Sequence, residues 1–119
     1  MYSAQILDHF EHPRHVGDVE NATAAAQIDN PACGDVLRLS VRVVGGVITE
    51  ACFRAKGCVP SMACGSKLTE MVTGRPLADA RKLTRKELAD ALGGMPAGSD
   101  HAPQLAIEAL QAVLKQVHR

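Results

Sequence analysis

The sequence predicts an α+β fold: a small antiparallel sheet of about three strands with helices packed on one face. Two observations carry this. Apolar and polar residues alternate with period two over residues 36–43 and again over 47–56, the spacing of strands with one covered side. Beyond Gly57 the apolar spacing lengthens to that of helices. Strands come first and helices later, a segregation that favours helices laid on an antiparallel sheet.

Each element follows from its own residues. Ile6, Leu7 and Phe10 lie at helical spacing and predict a short helix over 3–10, stopped by Pro13. The polar stretch 16–23 reads as loop, followed by a short strand near 24–28 and a turn at Asn30-Pro31. In the next strand Leu37, Leu39, Val41 and Val43 alternate with Arg38, Ser40 and Arg42. Gly45-Gly46 stands where a tight hairpin needs positive φ. The return strand over 47–56 puts Val47, Ala51, Phe53 and Ala55 on one face. Ile48, Glu50, Cys52, Arg54 and Lys56 fall on the other.

Pro60 and Ser61 suit a first helical turn, and Met62, Leu68, Met71 and Val72 form its apolar stripe up to Gly74. Thr84 with Glu87 matches a capping box opening a helix that ends at Gly93-Gly94. The last helix begins near 100–103 and runs to about Val117, burying Ala106, Ile107, Leu110, Val113 and Leu114.

The 119 residues suit a single domain over 1–119, and 46% apolar residues argue against disorder. Aromatics make up only 3%, so the core is aliphatic and a stacking platform for nucleic acid is not expected. Thirteen basic and thirteen acidic residues cancel, which gives no bulk charge for polyanions. With no apolar run of membrane-spanning length and no signal-like start, the expectation is a soluble, cytoplasmic protein. Its cysteines, Cys33, Cys52, Cys58 and Cys64, are then expected as reduced thiols.

Three turns concentrate soft or ionisable groups. Cys33-Gly34-Asp35 precedes the long strand, and its glycine permits a thiolate and a carboxylate to aim at one point. Lys56-Gly57-Cys58 joins a strand to a helix, where positive charge and the helix N-terminus favour a thiolate. Asp100-His101 opens the last helix. If the turns meet, Cys33, Asp35, Cys58 and His101 form a four-ligand set suited to zinc or an iron–sulfur centre, pointing to binding rather than turnover.

Other groups read more plainly. Cys64 is expected as a buried small hydrophobe and Cys52 as an incidental thiol on the wet face of its strand. His9, His12 and His15 suggest a solvated face, and Lys82, Arg85 and Lys86 ordinary helix surface.

Several sequence words resemble the IscU/NifU family of iron–sulfur cluster assembly scaffolds over nearly the whole chain. These are Tyr2-Ser3, Ile6-Leu7-Asp8-His9-Phe10, Pro13-Arg14-His15-Val16-Gly17, Pro31-Ala32-Cys33-Gly34-Asp35-Val36, Gly57-Cys58, Leu68-Thr69-Glu70 and Gly74. The resemblance implies an IscU/NifU-like fold and a platform that receives sulfur from a cysteine desulfurase, takes up iron, and hands a [2Fe–2S] cluster to apo iron–sulfur proteins. Cys33 and Cys58 match the first two family cysteines. Asp35 matches the aspartate that keeps the cluster labile, and His101 the histidine beside a third cysteine.

The chain departs from the family there, since Ala102 and Pro103 follow His101. The chaperone-recognition word Leu-Pro-Pro-Val-Lys is replaced by Met95-Pro96-Ala97-Gly98-Ser99, which argues against hand-off through the usual specialised chaperone. The insertion of the zinc-dependent SufU type is also missing between Cys58 and His101. Two alternatives therefore stand beside a scaffold carrying a [2Fe–2S] cluster or iron. One is a zinc-binding, sulfurtransferase-like sulfur acceptor with a persulfide on Cys33 or Cys58. The other is a divergent paralogue that binds only zinc and modulates a desulfurase. Zinc is expected in protein purified in air, and a homo-oligomer is left open.

Overall fold

A computed structural model of the chain describes residues 2–32 and 34–117. The element order is α1 (Ala4–Glu11), β1 (Ala24–Asn30), β2 (Asp35–Val44), β3 (Val47–Lys56), α2 (Val59–Val72), α3 (Leu77–Arg81), α4 (Arg85–Ala91) and α5 (His101–Gln116). The strands form one antiparallel sheet in the order β1-β2-β3, with β2 central. The α+β class and the three strands agree with the sequence. Among the described residues no helix is long and apolar enough to cross a membrane.

The β2–β3 hairpin turns through Gly45 and Gly46 at φ +59° and +78°, the pair of positive angles a tight two-residue turn requires. Leu37, Leu39 and Val41 of β2 and Ala51 and Phe53 of β3 are buried together beneath the helices. Ile48 corrects the simple alternation. Arg42 pairs with Glu50 but Val43 pairs with Ile48, so Thr49 is an extra residue in β3. That bulge reverses parity at the hairpin end, and Ile48 is fully buried instead of wet.

Helix α2 packs against the covered face of the sheet. Its buried stripe is Ala63, Cys64, Leu68 and Val72, whereas Met62 and Met71 are only half-buried. Gly65 allows the close approach: a β-carbon there would lie 2.6 Å from Cδ2 of Phe53. Helix α5 buries Leu105, Ala106, Ile107, Leu110, Val113 and Leu114. Its Gln116 side chain also reaches the outer edge of β1, donating to the Ala25 carbonyl at 2.7 Å and accepting the Ala25 N–H at 3.3 Å. An edge backbone is thereby partly covered.

Residues 16–23 hold no helix or strand, as expected, but the start of this loop is pinned along β3: Phe53 N–H donates to the His15 carbonyl and Gly17 N–H to the Phe53 carbonyl, each at 2.9 Å. One N-terminal expectation needs correction. His9 is buried, not solvated, because α1 packs that face onto α2. Its Nδ1 lies 2.7 Å from the Ser66 hydroxyl, which also accepts the Arg14 N–H at 2.9 Å. Nε2 faces Glu70 at 3.4 Å. The polar ring is accepted in the interior because both nitrogens have partners. His12 and His15 remain exposed, as does the basic group Lys82, Arg85 and Lys86.

The capping box at Thr84 and Glu87 forms as expected and opens α4. Short helix α3 was not foreseen, since Leu77 and Ala80 alone give it an apolar face.

Candidate metal centre

Three chain reversals meet at one end of the sheet. Asp35 is the first residue of β2, entered through Gly34 at φ +76°, and its side chain is buried. Across the hairpin, β3 ends at Lys56, opposite Val36, which brings Gly57 directly over Asp35. Gly57 has φ +146°, and a β-carbon on it would overlap the Asp35 carboxylate. Glycine is needed here for conformation and for clearance.

Cys58 follows as the N-cap of α2. Its N–H donates to Asp35 Oδ1 at 3.2 Å, and its Sγ stands 3.3 Å from Oδ2. His101 opens α5 and brings Nε2 to 3.2 Å from Asp35 Oδ2 and 3.7 Å from Cys58 Sγ. Asp35 is buried and the other two are half-buried, so the group opens to one side. Two helix N-termini converge on it, an environment that favours anionic ligands.

These separations have a chemical meaning. Bonds of about 2.0–2.3 Å to a tetrahedral ion imply ligand atoms roughly 3.3–3.8 Å apart. The sulfur, nitrogen and oxygen sit at 3.3, 3.7 and 3.2 Å, close to three edges of such a tetrahedron. Among the described residues, Asp35, Cys58 and His101 form a group of metal-ligating side chains within 4.8 Å of one another. A thiol, an imidazole and a carboxylate suit zinc or iron.

Cys33, the remaining predicted ligand, lies outside the described residues. Cys64 does not join the group. It is fully enclosed in the core, and burial pushes its thiol up to about 12. Cys52 pairs with Ser40 across the sheet and is half-buried, with its thiol raised by burial and by Glu50 and Asp18. Ala102, next to His101, is fully buried. Sequence reasoning missed Ser61 as a member of the site. Its buried hydroxyl donates to Asp35 Oδ2 at 2.5 Å and lies 3.3 Å from Cys58 Sγ. Its signal was its place three residues after Cys58, one turn into the helix that the cysteine caps.

The family of the NifU-like N terminal domain matches residues 1–119. The chain belongs to this family. Over 119 residues it is 37% identical to the iron-sulfur cluster assembly scaffold protein IscU 1 of Archaeoglobus fulgidus, spanning 100% of this chain and 78% of that one. Against the iron-sulfur cluster assembly scaffold protein IscU of Aquifex aeolicus identity is 40% over 116 residues, or 96% of this chain and 74% of that one. The crystal structure of a NifU-like N-terminal protein from Brucella abortus superposes with a TM-score of 0.75 at 19% identity, covering 95% and 91% of the two chains. This NifU-like domain therefore has the sheet-and-helix architecture of a solved relative.

Proposed function

We propose that this NifU-like chain is an iron–sulfur cluster assembly scaffold, with Asp35, Cys58 and His101, joined by Cys33, as the ligands for its cargo. The observation that carries the reading is the meeting of a thiol, an imidazole and a carboxylate at tetrahedral spacing in a half-open recess. The names of the Archaeoglobus and Aquifex relatives support the same role. In this reading residues 1–119 work as one unit, a cysteine desulfurase supplies sulfur, and apo iron–sulfur proteins receive the product.

The chain's own groups fit loading and release. Asp35 contributes a hard oxygen among softer donors, and a carboxylate holds a thiophilic cargo less firmly than a thiolate does. Ala102 supplies no donor beside His101, so the chain brings two thiolates, from Cys33 and Cys58, and no third at that position.

Anaerobic incubation with iron, cysteine, a thiol reductant and a cysteine desulfurase tests the reading. Visible sulfur-to-iron charge-transfer absorption is expected in the wild type and absent from Cys58→Ala and Cys33→Ala. A protein that stays colourless and retains one zinc rejects the cluster scaffold in favour of a zinc-bound sulfur acceptor or a zinc-only paralogue. The single-ion spacing of the three donors favours these as second readings.

A further inference from the structure

We infer that Ser61 is a positioning residue of this centre, fixing the Asp35 carboxylate in the orientation that presents Oδ2 to a metal. The inference rests on the ligand reading above and adds a group that donates nothing to the metal itself.

Ser61 is the third residue of α2 and is fully buried, so its hydroxyl has no water to bond. A buried hydroxyl without a partner is unfavourable, and Ser61 therefore needs an acceptor inside the protein. It finds Asp35 Oδ2 at 2.5 Å, a separation typical of hydroxyls bonded to a carboxylate. The backbone N–H of Cys58 holds Oδ1 at 3.2 Å. The two donors grip opposite oxygens and leave the carboxylate little freedom to rotate. Oδ2 is also the oxygen facing Cys58 Sγ and His101 Nε2.

The hydroxyl has one proton. With that proton on Oδ2, a lone pair of Oγ faces Cys58 Sγ at 3.3 Å and can accept the thiol proton in the metal-free protein. A metal held by Sγ, Nε2 and Oδ2 would replace the hydrogen bonds among them, and Ser61 would still hold the carboxylate. Groups in this outer position typically change metal affinity by roughly 10- to 100-fold.

Cobalt(II), whose visible bands report ligand number and geometry, is the probe. It is titrated anaerobically into metal-free wild type, Ser61→Ala and Ser61→Thr, with chelator competition for affinity and urea unfolding of each metal-free protein. Ser61→Ala is expected to bind roughly 10- to 100-fold more weakly, with shifted ligand-field bands. Ser61→Thr, which keeps the hydroxyl, is expected to stay within about threefold of wild type by the same reasoning. A merely structural role would move the unfolding midpoint but not the bands.

Wild-type affinity and bands in Ser61→Ala overturn the inference, and they leave the ligand reading intact if Asp35→Ala and Cys58→Ala still lose binding. A wild type without a thiolate-to-cobalt band overturns the ligand reading itself. Should Ser61→Ala not fold, Ser61→Val is compared with Ser61→Thr, which has the same shape and keeps the hydroxyl, and is judged by the same outcomes.

Discussion

Replacing Gly57 by alanine perturbs the fold and the site at once. At φ +146° a side chain is strained, which costs about 1–3 kcal/mol. The new β-carbon also overlaps the Asp35 carboxylate, starting with Oδ1, the atom that accepts the Cys58 N–H. Asp35 can relieve the overlap only by swinging away and giving up that charge-assisted bond, a further loss of about 1.5–3 kcal/mol.

Together these give roughly 2.5–6 kcal/mol, a large share of the 5–15 kcal/mol that typically stabilises a domain. The melting temperature should fall by on the order of 10 °C or more. Gly57→Ala should fold less stably and bind cobalt(II) at least about 100-fold more weakly, because a ligand, not merely its support, is displaced. Urea unfolding and cobalt titration measure both effects. An unfolding free energy within about 0.5 kcal/mol of wild type, the range of a neutral surface change, together with unchanged cobalt affinity, would refute the packing described for Gly57 over Asp35.

Two further predictions concern the interior. Burial, with Arg14 nearby, holds the His9 imidazole below its ordinary value of 6.5, against the smaller opposing pull of Glu70. The unfolded chain takes up that proton first, so stability that is complete above about pH 6.5 declines as pH falls through and below that value. The urea midpoint should drop on acidification and less steeply in His9→Asn; identical slopes would remove His9 as the cause. For Cys64, a thiol pushed up to about 12 by burial leaves a thiolate fraction of about 10⁻⁴ at pH 8. Mass spectrometry after brief iodoacetamide treatment should find Cys58 modified and Cys64 untouched until urea is added, and early labelling of Cys64 would contradict its enclosure.

Much of the chain was legible without coordinates because the controlling interactions are local. The β2–β3 hairpin follows from alternation and two glycines, the Thr84–Glu87 box from a three-residue spacing, and Cys64's place in the core from the tendency of a free thiol to pack as a small hydrophobe. Asp35, Cys58 and His101 were recognisable as donors because their residue types and turn positions limit what they can do. Ile48 was misread because one bulged residue at Thr49 reverses every side that parity assigns beyond it. His9 was misread because its acceptance in the interior depends on Ser66, 57 residues away.

The amino-acid order alone determined the strands, most of the helices and the chemical character of the ligands, since each depends on neighbours within a few residues. Only the tertiary structure decided that donors 23, 43 and 66 residues apart share one recess, and that Ser61 and Gly57 shape it. The physical reason is that such contacts are set by how the end of the sheet meets two helix N-termini. Packing of distant segments fixes that junction, and short-range periodicity carries no record of it.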